Sequence, residues 1–263
     1  MKLGIIEQPG EQGFRHAAEF GLSFVEYCID IGKDVSAFAS QAGELGKYSA
    51  RYNVAVGAIG RWGADKLDEN GGIIEEELQN SYRLIDVCSQ LGAGVFNTGV
   101  NKVKGISDYA NVTAAIRFLE KLCDYGEKKG VRIATYNCDW ANFVHSDWSW
   151  TLIHGHLPQL GIKFDSSHSI YAHRDYLAEM KKWGGRFYHV HIKGALQVDG
   201  QRFDDPPAGM DITNWGAFMG CLYAHGYDGL LSLEPHSRIW KEGELGDKGI
   251  ALAIETIRKY ILR

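Results

Sequence analysis

Short apolar runs alternate with longer amphipathic stretches along this chain, and the alternation repeats eight times. The runs are LGIIE (3–7), SFVEY (23–27), NVAVGAI (53–59) and GVFNT (94–98), then VRIATY (131–136), GIKFD (161–165), RFYHVHI (186–192) and GLLSLE (229–234). Each is short and rich in Val, Ile, Leu or aromatic residues, as strands buried on both faces are. Between them lie helical periodicities. Ser107 to Lys129 carries Ala114, Ile116, Phe118, Leu119 and Leu122 on one face and stops at Gly130; Glu75 to Leu91 carries Leu78, Tyr82, Ile85 and Cys88 and stops at Gly92. Thr213 to His225 and Lys248 to Leu262 read the same way, the last through Ala251, Ile254, Ile257 and Ile261.

Eight β-then-α units with short links predict an α/β protein, a single (β/α)8 TIM barrel spanning 1–263 as one domain. A doubly wound open sheet is the rival, but the first βα turn, EQPGEQG, lacks a dinucleotide fingerprint. The one long irregular stretch, Gly194 to Asp211, follows the seventh strand and falls on the face where a barrel keeps its chemistry.

Composition narrows the function. Hydrophobic residues make up 45% and charged residues 23%, ordinary globular values that exclude disorder. A formal charge of −5 argues against a nucleic-acid partner. No apolar run reaches the roughly 18 residues of a membrane span, and no signal-peptide pattern is visible. Five scattered cysteines without a Cys-x-x-Cys pair read as reduced thiols, so a cytoplasmic location is expected.

Barrel enzymes place polar residues at the C-terminal ends of their strands. Here those ends supply Glu7, Glu26, Asn97, Tyr136 with Asn137, Asp165 with His168, His189 and His191 with Lys193, and Glu234 with His236. Carboxylates and imidazoles converging on one mouth call for a positive centre. A mixed Asp/Glu/His set suits one divalent cation, Mn²⁺ first and Mg²⁺, Co²⁺ or Zn²⁺ after it. His189, His191 and Lys193 alternate along one strand and so share its inward face. His145 and His236 are further acid/base candidates, because imidazole titrates near neutrality. Trp62 and Trp140, with Phe143, Trp148 and Trp150 nearby, offer aromatic walls for a sugar, and Arg202 offers a grip on an anionic group.

The segments GIKFDSSH, FYHVHIKG, PPAGMDITNW and GYDGLLSLEPH resemble the strand-six, strand-seven, loop and strand-eight signatures of the sugar phosphate isomerase/epimerase family, the xylose isomerase-like barrels. The resemblance covers essentially the whole chain. It implies a metal held by Asp165, His191 and Glu234, with His168 beside the substrate. Strand five departs from the family pattern: where a Glu is expected the chain has Tyr136, followed by Asn137, which is left as the candidate fourth ligand. The endonuclease branch of the family fits neither the charge nor the strand-two to strand-four ends, which lack the histidines of a multi-zinc cluster.

The resemblance implies a metal-dependent isomerase or epimerase of a keto sugar or related polyol, working by proton abstraction next to a metal-bound carbonyl. Glu234, His145, Lys193 and His168 are the catalytic candidates, and Glu7, Trp62, Trp140, His168, His189, Arg202 and His236 the substrate-binding ones. Without the strand-five Glu, a lyase or dehydratase acting on a keto-cyclitol or 3-keto-glycoside is the alternative, and a non-catalytic sugar-binding barrel a further one. The expected partner is a small carbohydrate, with assembly into a homo-oligomer or with a partner subunit left open.

Overall fold

The computed structural model describes residues 1–262. β1 (Lys2–Ile6), α1 (Glu11–Glu19), β2 (Phe24–Asp30), α2 (Val35–Ser40) and α3 (Ala42–Tyr52) open the chain. They are followed by β3 (Ala55–Trp62), α4 (Glu75–Leu91), β4 (Val95–Thr98), α5 (Asp108–Lys129), β5 (Arg132–Tyr136) and α6 (Asp147–His156). Next come β6 (Gly161–Asp165), α7 (Ser166–Tyr171), α8 (Tyr176–Trp183) and β7 (Phe187–Ile192). A hairpin of β8 (Leu196–Val198) and β9 (Gln201–Asp204) precedes α9 (Trp215–Ala224), β10 (Leu230–Leu233) and α10 (Gly243–Arg258). The parallel strands close into one ring in the order β1-β10-β7-β6-β5-β4-β3-β2, the expected TIM barrel. Among the described residues, no helix is long and apolar enough to cross a membrane.

Every predicted strand is present. β2 and β3 run farther than their apolar cores, to Asp30 and Trp62, which carries polar residues up to the rim. α4 and α5 end as the pattern requires, with Gly92 and Gly130 at φ of 72° and 70° closing their last turns. α10 differs. It starts at Gly243 rather than Lys248, because its first turns are polar and carry no stripe, and it ends at Arg258 rather than Leu262. Beyond it, Tyr260 and Ile261 donate to the carbonyls of Ile257 and Arg258, so Ile261 reaches the core from a turn. The stretch 194–211 is also less irregular than expected. Asp199 and Gly200, both at positive φ, turn β8 back onto β9, the Asp-Gly chemistry of a two-residue hairpin.

The barrel interior is layered. The Phe24 ring fills the floor, and a Cβ on Gly4 or Gly57 would lie within 2.5 Å of it, so both positions must stay bare. One layer up, Glu26 and His189 are fully buried, and above them His191, Asp165 and Glu234 surround the mouth. Alternation along β2, β6 and β7 makes this sequence of layers: Phe24, Glu26, Cys28 and Asp30 share one face, as do Lys163 with Asp165 and His189 with His191.

A further buried histidine lies outside the barrel. His154, on α6, donates through Nδ1 to the Leu160 carbonyl and accepts the Thr135 hydroxyl at Nε2, 2.9 Å away. Burial, reinforced by the Arg186 guanidinium, pushes its pKa down to about 3. The unfolded chain therefore binds a proton here that the folded chain refuses. Stability should be complete above about pH 6.5 and fall as the pH drops toward 3, at up to about 1.4 kcal/mol per unit from this group. Urea unfolding of His154→Gln across pH 4–7 should show a shallower acid slope than the parent, and an unchanged slope would refute this assignment.

Candidate active site

Above Glu26 the barrel opens into a cavity of about 600 Å³. Of the residues anticipated from the sequence, Glu7, Trp62, Trp140, His168, His191, Lys193, Arg202, Glu234 and His236 line it. Asp165, at the end of β6, is fully buried at its base. Its Oδ1 caps α7 by accepting the Ser167 N–H at 2.9 Å. Its Oδ2 accepts no hydrogen bond among the described residues. That oxygen instead faces Lys193 Nζ at 3.4 Å, His168 Nε2 at 3.4 Å and Lys163 Nζ at 3.7 Å.

His191 stands between two carboxylates. Nδ1 meets Glu234 Oε2 at 2.6 Å and Nε2 meets Glu26 Oε2 at 2.9 Å, while His189 Nε2 holds the same Glu26 oxygen at 2.7 Å. Burial works against every charge in this layer: pairing overcomes it for the carboxylates and His191, whereas burial keeps His189 below its ordinary value. Burial alone would raise the Glu26 carboxyl, but His189 and His191 bring it well below the usual range. Glu234 and Asp165 are likewise held ionised against burial, chiefly by Lys193. Lys193, desolvated but faced by Asp165 and Glu234, is held firmly protonated. His168 goes the other way: burial and the adjacent Lys193 push it down to about 3, so it is a neutral imidazole.

Asp165, His191 and Glu234 each offer a ligand atom, and these atoms lie within 4.8 Å of one another. Glu26, His189 and His191 make a second such group, deeper and sharing His191. The upper group suits a hard or borderline divalent ion by donor type, and Asp165 Oδ2 is a buried acceptor that no hydrogen bond fills, faced by Lys193, His168 and Lys163 at 3.4 to 3.7 Å. The residues present therefore fit an ion on three sides. On the fourth, β5 ends in Tyr136, whose ring stacks on Trp62 with centroids 3.9 Å apart and whose hydroxyl donates to the Trp140 carbonyl.

Several anticipated residues are placed elsewhere. Asn137 does not join the group. Its Nδ2 donates to the Asp165 carbonyl at 2.8 Å and its Oδ1 accepts the Asp165 N–H at 2.9 Å, so the amide clamps β6 to β5. His145 is half-buried and does not line the cavity; Arg174 donates to its carbonyl. His189 lies below the cavity floor, bonded to Glu26. Trp150 and Phe143 are core residues, whereas Trp148 is exposed and does not line the cavity. Arg202 pairs with Asp205 and stacks over Tyr171, with His236 Nδ1 on the same Asp205 oxygen at 2.8 Å.

Other lining residues were not anticipated. His16, from α1, meets Glu7 Oε1 at 2.5 Å, and nothing in its helix marked it out. Cys28 and Asp30 enter because β2 extends past its apolar core. Lys163, beneath the lining, carried a legible signal: a cation inside the apolar run GIKFD, two residues before Asp165 and so on its face.

A family model described as a xylose isomerase-like TIM barrel matches residues 14–260. No curated protein matches the chain in sequence. Among solved structures, D-psicose 3-epimerase from Clostridium cellulolyticum H10 with D-tagatose is 14% identical, with 99% of each chain covered and a TM-score of 0.80. The 3-keto-D-glucoside 4-epimerase of E. coli is 16% identical, with a TM-score of 0.75 over 98% of this chain and 99% of that one. An IOLI protein with a binding zinc atom is 16% identical over all of both chains, with a TM-score of 0.77. At such identities the likeness is one of fold.

The clamp formed by Asn137 separates its role from a ligand's. Asn137→Ala would leave the buried N–H and carbonyl of Asp165 without partners. It should cost about 1–3 kcal/mol in urea unfolding; a loss below 0.5 kcal/mol, roughly the size of a surface substitution, would contradict the clamp.

Proposed function

The chain belongs to the xylose isomerase-like TIM barrel family, and from that we propose that it is an enzyme moving a proton at the carbon next to the carbonyl of a keto sugar or related polyol. The observation that carries this reading is the convergence of Asp165, His191 and Glu234 at the base of an open cavity, with Lys193 and His168 beside them. Asp165, His191 and Glu234 would hold one divalent cation, for which we propose Mn²⁺. When bound, the ion draws electrons from the carbonyl and makes the neighbouring C–H more acidic.

The chain's own groups supply the rest. Lys193, held protonated, is a fixed donor for the oxygen on which negative charge develops. Glu234, which lines the cavity with Oε1 3.4 Å from Lys193 Nζ, would accept the C–H proton. Neutral His168, 3.4 Å from Lys193 Nζ, can orient a hydroxyl without competing for the cationic positions. Trp62 and Trp140 supply apolar walls against a sugar face. Return of the proton to the adjacent carbon isomerises the substrate; return to the other face epimerises it.

A second reading is favoured by Tyr136. With an aromatic ring where β5 would present a carboxylate, the carboxylates of the centre come from β2, β6 and the end of β10, and the loop after β5 adds the exposed Asp139 to the cavity lining. A base on one side of the substrate suits same-side proton return, or elimination of a β-substituent from a 3-keto-glycoside or keto-cyclitol, better than two-base epimerisation.

Solvent deuterium exchange into ketoses, cyclitol ketones and 3-keto-glycosides, with Mn²⁺ present, tests the shared first step. We expect exchange into at least one class. It should fall by about a hundredfold or more in Asp165→Asn, His191→Ala and Glu234→Gln with near-ultraviolet circular dichroism unchanged. Exchange at parental rate in these variants would contradict the assignment.

A further inference from the structure

One group at the centre has no place in the chemistry above. Lys163, on β6, is fully buried, and its Nζ makes no hydrogen bond among the described residues. It lies 3.7 Å from Asp165 Oδ2, the oxygen that accepts no hydrogen bond among the described residues, and 5.1 Å from the Trp62 ring centroid. The β5–β6 register pairs Lys163 with Tyr136. The tyrosine ring stacks on Trp62, so the aromatic pair roofs the ammonium. Lys193 differs, because it reaches the cavity and finds both Glu234 and His168. Lys163 has no opening through which to swing away.

A charge count gives this placement its meaning. Glu26, Asp165 and Glu234 supply three negative charges and Lys163 and Lys193 two positive ones, so the centre is nearly neutral before any ion arrives. Lys163 also acts electrostatically on Asp165, Glu234, His168 and His191 together. A strand-five carboxylate in place of Tyr136, with a neutral residue at 163, would make the centre more negative by two units, the charge of one divalent ion. We propose that Lys163 is a resident rival to the divalent ion, filling the side of the centre that β5 leaves without a carboxylate, so that the ion is held weakly and exchangeably. The proposal rests on the metal reading of Asp165, His191 and Glu234. It makes the ion a participant that enters with an oxygen-rich substrate able to complete its coordination, rather than a permanent fixture.

The test is Mn²⁺ binding followed by electron paramagnetic resonance, with no substrate and no turnover, on the parent chain, Lys163→Met and Lys163→Gln. Methionine matches the buried stem and glutamine keeps a polar end; thermal melting without metal checks that each variant folds. Both neutral variants should bind Mn²⁺ at least about ten-fold more tightly than the parent, with a correspondingly larger metal-induced rise in Tm. The parent alone gives a second reading: purified without chelator and dialysed, it should retain substoichiometric metal. Measurable but equal affinities in all three proteins, or a stoichiometric ion surviving dialysis in the parent, would overturn the rivalry while leaving the metal site standing. Absence of Mn²⁺ binding in every protein would overturn both.

Discussion

A carboxylate removed from water must be matched by charge or hydrogen bonds, and Asp165 meets that demand differently at its two oxygens. Oδ1 is used to start α7, whereas Oδ2 is left facing cations. Lys163, Lys193 and His168 all take their positions from that second oxygen. The same constraint recurs one layer lower, where Glu26 stays ionised only because two imidazoles reach it. The mouth of the barrel is thus a ladder of paired charges standing on the Phe24 floor, and its rungs are set by the two-residue period of the strands.

That ladder was only partly legible in the sequence. The barrel was, because eight β-branched runs with glycine stops leave few alternatives, and because period-two spacing in HVHIK and the terminal positions of Asp165 and Glu234 fix which side chains point inward. What the sequence could not supply was which polar groups satisfy one another. Asn137 has the look of a ligand at a strand end, yet its amide matches the backbone of the neighbouring strand better than it matches the mouth. His145 follows β5, but it does not line the cavity, and its backbone carbonyl accepts from Arg174. The hairpin within 194–211 was signalled by Asp199-Gly200, although its strands are too short and polar to register as apolar alternation.

Loss of the strand-five carboxylate ties the chemistry to the architecture. Tyr136 stacks with Trp62 where β5 ends, so the cavity has an aromatic wall and an ionic wall, with Asp139 of the following loop also in its lining. Such a division favours a substrate that presents a hydrophobic ring face on one side and oxygens on the other, as sugars do. It also concentrates the acid/base groups near Glu234, Lys193 and Glu7, the last of these bonded to His16.

The central claim is that Asp165, His191 and Glu234 share one divalent cation. An anomalous difference map from crystals soaked in Mn²⁺ and a chelating polyol, recorded at the manganese edge, tests it directly. The account predicts a single strong peak about 2.0–2.3 Å from a donor atom of each of the three side chains. A map without a peak there, or with the ion bound only at surface carboxylates, would contradict it.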